Sequence, residues 1–128
     1  MAYHNIEARQ ISGALGAEIH GVDLAEPLDE ATFAEIRQAL HDHLVIFFRD
    51  QTITPEQHLA FSRCFGEIET HAYAKGLPGH PEILPVIKEA DDRAANFGGI
   101  WHSDVSFHEA PPMGQILYAL EVPESVGD

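Results

Sequence analysis

The chain has 128 residues, is 45% apolar, and carries 7 basic against 21 acidic residues, a formal charge of −14. That length makes one domain at most, able to bury roughly two-thirds of the surface its unfolded chain would expose. So large an acidic surplus argues against nucleic acid and membrane surfaces as partners, because both are bound largely through Lys and Arg.

The single cysteine, Cys64, cannot form an internal disulfide, and the opening MAYHNIEARQ has neither a basic n-region nor an apolar h-region. A reducing cytoplasm is the expected location. The longest uninterrupted apolar run, Leu44 to Phe48, is strand-sized and far short of the ~18 residues of a membrane span. The composition is that of a soluble globular protein, without repeats or low-complexity tracts.

Residues 6–11 and 17–24 are expected to form a hairpin around the glycines of Ser12-Gly13-Ala14-Leu15-Gly16, since glycine supplies the positive φ of tight turns. Next, Leu28, Phe33, Ile36, Ala39 and Leu40 recur at helical spacing, with Asp29 placed to cap. The spacing predicts an amphipathic helix near 29–43. Leu44 to Phe48 then reads as a strand buried on both faces, stopped by Arg49-Asp50-Gln51. A second helix over 55–65 has the clearest local signals: Thr54 to cap, Pro55 at the first position, Gln57 reaching back and Gly66 to end it.

Residues 67–82 mix Gly, Pro and His and read as an irregular loop. Beyond it, 83–88, 100–107 and 115–122 are strand-like, separated by the glycine-rich 91–99 and by Ala110-Pro111-Pro112. This order predicts an α+β fold whose β-sandwich or barrel begins near residue 83.

Trp101-His102-Ser103-Asp104 is the most informative segment. On a strand, residues i and i+2 share a face, so His102 and Asp104 would project together. One imidazole beside one carboxylate is two-thirds of the 2-His-1-carboxylate triad that leaves open positions on Fe(II). His-x-Asp also occurs by chance, and an ordinary surface pair is the plain alternative. Gly98-Gly99 either marks a turn or keeps the backbone bare for close ligand approach.

The remaining histidines read differently. His41 and His43 sit at a helix end, where the dipole accounts for them. His108 would lie ~20 Å from His102 along an extended strand. His4, His20, His58 and His80 read as surface residues, whereas His71 stays open. Cys64, near Phe61 and Phe65, reads as a small buried hydrophobe rather than a nucleophile, and no phosphate-binding loop, serine-hydrolase elbow or paired-cysteine zinc site occurs.

Several ordered motifs together resemble the iron(II)- and 2-oxoglutarate-dependent taurine/2,4-dichlorophenoxyacetate (TauD/TfdA-type) dioxygenases. They are Leu15-Gly16-Ala17-Glu18-Ile19, Gly21-Val22-Asp23-Leu24, Leu44 to Gln51, Ile53-Thr54-Pro55, Phe65-Gly66-Glu67, and Trp101 to Phe107 followed by Pro111-Pro112. The resemblance implies the N-terminal part of a double-stranded β-helix, a cupin-like jelly roll with two flanking helices, occupying 1–128 as one incomplete domain. It implies His102 and Asp104 as iron ligands, and His71, Tyr73 and Asn96 as substrate-pocket residues. Taurine-type members carry that amide closer to the motif, where this chain has Gly98.

The same resemblance implies a small organic acid substrate (a sulfonate, sulfate ester or aryloxy acid) hydroxylated with O2 and 2-oxoglutarate. The second iron histidine and the arginine that holds 2-oxoglutarate are expected beyond Asp128, which would leave the chain inactive alone and marginally stable or associating as a homo-oligomer. Two other classes stay open. One is a cupin-type metal enzyme taking its third ligand from these residues, with His71 the candidate. The other is a non-catalytic interaction module offering unpaired sheet edges.

Overall fold

The computed structural model describes residues 3–71, 74–95 and 98–124. The chain divides into two units, Met1–Ile68 and Glu69–Asp128, and among the described residues the helices and strands all fall in the first.

The expected hairpin forms, with β1 (Glu7–Gln10) antiparallel to β2 (Ala17–His20), Glu7 opposite His20 and Gln10 opposite Ala17. The Ile11 amide donates to the Gly16 carbonyl at 3.0 Å and closes the turn. Gly16 adopts φ +96°, and a Cβ there would stand 2.9 Å from Ile11 Cγ1, so a side chain is excluded twice over. β2 stops four residues short of the expected end because Gly21, at φ +90°, turns the chain out of the ladder. Beyond it the Leu24 amide donates to the Gln51 side chain at 2.8 Å instead.

α1 (Glu30–His43) begins where Asp29 predicts, the Asp29 carboxylate accepting from the Thr32 amide at 2.8 Å. It carries the chain across to β3 (Ile46–Phe47), which pairs parallel with β2. Parallel neighbours need such a crossover. The Leu44–Phe48 expectation is corrected here: only two residues enter the ladder, and they form an edge of the sheet order β1-β2-β3. Leu44, at φ +67°, serves as the C-cap of α1, its amide donating to the Leu40 carbonyl. Leu44 and Val45 lie outside the ladder and Phe47 lies on its edge strand, and the three remain 65%, 40% and 39% exposed rather than buried.

α2 (Pro55–Phe65) carries the full capping box, with the Gln57 amide donating to Thr54 Oγ1 and the Thr54 amide to the Gln57 side chain. Both helices and the sheet enclose Ile6, Ile19, Leu24, Ile36, Ala39 and Phe61. Phe33, Phe48, Phe61 and Phe65 pack edge to face around them, with centroids 4.9–5.6 Å apart. Cys64 corrects its expectation by lying exposed near the C-terminal end of α2, its thiol donating to the Ala60 carbonyl one turn back. Of the four histidines read as surface residues, His4 is exposed, while His20, His58 and His80 are half-buried.

The segment before β1 is tied down by Glu35 of α1, whose carboxylate accepts from the backbone amides of His4, Asn5 and Ile6 at 2.8–3.2 Å. Partial desolvation pushes the Glu35 carboxyl up, but these three donors outweigh it and hold it below its ordinary 4.5. A carboxyl depressed on folding contributes stability that is complete above its unfolded value of about 4.3 and fades as pH falls through the lower folded value. Glu35→Gln should therefore lower the urea midpoint at pH 7, and the gap from the parent should be smaller in acid, where the carboxyl is protonated in both the folded and the unfolded chain. Equal gaps at pH 7 and in acid would dissociate Glu35 from acid stability.

In the second unit, the strands expected over 83–88, 100–107 and 115–122 do not form among the described residues. Among the described residues its one ladder contact is the bridge Leu77–His80. A strand exists only where a neighbour accepts and donates its backbone hydrogen bonds, and these segments have none beside them. Ile87, Ile100, Trp101, Phe107, Leu117 and Leu120 accordingly stand exposed. Among the described residues no helix is long and apolar enough to cross a membrane.

Candidate metal centre

His102 and Asp104 do converge, with Nε2 3.1 Å from Oδ1. They do so without the strand that their period-2 spacing suggested. Val105 turns the chain at φ +49°, the His108 amide closes back on the Val105 carbonyl at 3.2 Å, and the Ser103 and Ser106 hydroxyls meet at 2.7 Å. A tight turn, rather than pleat alternation, brings the pair together.

The imidazole is fixed from its other side. His102 Nδ1 lies against the Ile100 carbonyl, which can only accept, so Nδ1 carries the proton and donates. A backbone carbonyl in that place sets the tautomer that leaves Nε2 able to ligate. With Nδ1 protonated, the Nε2 lone pair meets the Asp104 oxygen unless a proton or a cation lies between them. As a plain ion pair the contact is worth little, since the side chains are 44% and 52% exposed and such surface pairs contribute about 0–1 kcal/mol.

The donor set fits a first-row metal ion. Nitrogen and oxygen ligands at about 2.0–2.2 Å from one ion and about 90° apart lie about 3 Å from each other. The observed 3.1 Å matches that separation. Beside His102 a cleft of about 510 Å³ is lined by Ala95, Gly98, Gly99 and Ile100, none of them charged.

The other expected site residues stand apart from this pair. His71 is exposed, and no third His, Cys, Asp or Glu joins His102 and Asp104 in a metal-binding group among the described residues. The cupin alternative with His71 as third ligand gains no support from this. Tyr73 and Asn96 lie outside the described residues. His108 faces Glu69 at 3.9 Å instead of the metal pair. Gly98 is the feature whose contribution sequence reasoning left undecided: it adopts φ +70° and approaches the His102 ring. The Gly98-Gly99 doublet was the available signal for it.

The chain is 37% identical to an α-ketoglutarate-dependent sulfate ester dioxygenase of Pseudomonas putida, over 96% of the chain and 40% of that protein. It is 35% identical to an alkylsulfatase of Acinetobacter baylyi, over 96% of the chain and 38% of that protein. The crystal structure of a taurine dioxygenase from Burkholderia xenovorans superimposes with a TM-score of 0.57 at 46% identity, over 61% of this chain and 28% of that one. The chain thus spans about two fifths of the length of the sequence relatives it matches. A non-catalytic interaction module finds no support among them. The family model for taurine catabolism dioxygenase TauD, TfdA matches residues 7–128, and the chain belongs to that family.

Proposed function

We propose that these residues form one part of the jelly-roll domain of a cytoplasmic iron(II)- and 2-oxoglutarate-dependent dioxygenase, in which His102 and Asp104 are two of the iron ligands. The observation that carries this reading is the 3.1 Å convergence of His102 Nε2 and Asp104 Oδ1, with the Ile100 carbonyl holding the opposite ring nitrogen. Iron(II) held by these residues would supply the redox chemistry that links decarboxylation of 2-oxoglutarate to succinate and CO2, succinate taking one oxygen atom of O2, to insertion of the other into a substrate C–H bond.

The chain's own residues have narrower tasks. Ile100 fixes the His102 tautomer, Asp104 supplies the anionic oxygen, and the turn at Val105 keeps the two together. The substrate class is a small organic acid, a sulfate ester, sulfonate or aryloxy acid. The names of the two sequence relatives favour the sulfate ester within that group. His71, Tyr73 and Asn96 are assigned to the substrate pocket of the whole enzyme.

Anaerobic calorimetric titration with Fe(II) tests the site. The 128-residue chain should bind one ion weakly, because two protein donors give less affinity than three. His102→Ala and Asp104→Ala should each abolish the heat, and His71→Ala should leave it unchanged. Tight binding that His71→Ala removes would overturn the assignment in favour of a three-ligand cupin site.

A further inference from the structure

We infer that Gly98 is a positioning residue for His102, its bare Cα leaving room for the imidazole edge that bears Nε2 to reach Asp104. The inference rests on the iron reading above and deepens it. A Cβ built on Gly98 would stand 3.2 Å from His102 Cε1 and 3.6 Å from Nε2. Carbon pairs are at their optimum about 3.5–4.0 Å apart, so the second distance is ordinary contact and the first is tight, requiring the ring to give by a few tenths of an ångström. Both contacted atoms belong to the side of the ring that faces the candidate metal.

The ring has little freedom to yield. Its Nδ1 is held by the Ile100 carbonyl two residues back, and its Nε2 lies 3.1 Å from Asp104 two residues on. A rotation that relieves contact with residue 98 must lengthen one of these, and each loss degrades the donor pair. Gly98 also sits at φ +70°, where an L side chain is strained. Two effects of substitution are therefore superimposed, and they separate experimentally because Asn tolerates the left-handed region far better than Ala while carrying the same Cβ. Among the described residues the cleft beside the ring is lined by Ala95, Gly98, Gly99 and Ile100, none of them charged.

Gly98→Ala and Gly98→Asn are compared with Gly114→Ala, a site with nothing within 4 Å of its built Cβ. Two readouts are used on the 128-residue chain. The first is metal-free: a proton NMR cross-peak between Gly98 Hα and His102 Hε1, and the Hε1 shift. The second is quenching of Trp101, the chain's one tryptophan and the immediate neighbour of His102, by Co(II). Both Gly98 variants should move the His102 Hε1 resonance while the amide resonances of residues 3–68 stay in place. Both should raise the Co(II) midpoint on the order of 10–100-fold, the usual cost of disturbing a ligand's support. Gly114→Ala should do neither.

A wild-type midpoint in either Gly98 variant would overturn the inference. So would recovery in Asn alone, which would place the effect in the backbone dihedral and not in the room left for the ring. If Co(II) quenches the parent no better than His102→Ala, the iron reading fails, and the NMR contact and Hε1 shift still decide whether Gly98 positions the ring.

Discussion

Ile36→Ala is expected to remove about 2–5 kcal/mol from the stability of the first unit, the usual cost of truncating a fully enclosed aliphatic side chain. Ile36 has no exposed surface and is the largest fully enclosed side chain among the described residues. It sits on α1, within the cluster formed by Ile6, Ile19, Leu24, Ala39 and Phe61. Shortening it leaves a cavity bordered by both helices and the hairpin, and a rigid aromatic surround relaxes poorly into such a space. Whole domains are stable by only about 5–15 kcal/mol, so this one change consumes a large part of the total. Urea unfolding followed by far-UV circular dichroism reads the first unit directly, because α1 and α2 both lie in it. Exposed Arg37, one residue along the same helix, serves as the comparison, and Arg37→Ala should stay within about 0.5 kcal/mol. A loss below about 1 kcal/mol at Ile36 would show that the core closes over the deletion.

What was legible in the amino-acid sequence follows from how far each signal reaches along the chain. The α2 cap needs only Thr54, Pro55 and Gln57, and the hairpin only a few residues with Gly16 between them, so both are local chemistry and both form. The apolar spacing of Phe33, Ile36, Ala39 and Leu40 likewise specifies one face of α1, and that face is the one enclosed. Strands are a different kind of object, because a ladder needs a partner that the segment itself does not contain. Ile100 to Phe107 and Gln115 to Val122 have strand composition, but no neighbouring backbone pairs with them among the described residues. Leu44 failed for a related reason: its composition suits a strand, yet the end of α1 claims it first as a left-handed cap. At the candidate site, residue types sufficed to nominate His102 and Asp104, but the strand alternation invoked to bring them together does not form, and a turn does so instead. The turn at Val105 and the close approach of Gly98 are backbone events with no periodic signature, so they were visible only in three dimensions.

Succinate release by the 128-residue chain supplied with Fe(II), ascorbate, 2-oxoglutarate and a panel of sulfate esters, sulfonates and aryloxy acids is expected not to exceed that of a His102→Ala control. The described residues bring together two protein donors and no third, whereas the facial triad that holds iron for this chemistry requires three. Nor is the region around the pair closed to water. Trp101, Ile100 and Phe107 stand exposed on either side of it, and an oxidation that must be aimed at one C–H bond depends on a site from which solvent is excluded. Side chains of that size contribute about 1.5–3 kcal/mol each when fully buried, so their exposure is also a strong drive toward association. The assay is therefore run across a range of protein concentrations, with sedimentation velocity alongside. Association without succinate is the expected result, since apolar contact between copies covers surface but supplies no correctly placed third ligand. Turnover above the His102→Ala control that rises with the square of protein concentration would mean that two copies complete one site. Turnover linear in concentration would mean that one chain suffices, and either result would refute the expected inactivity of the chain alone.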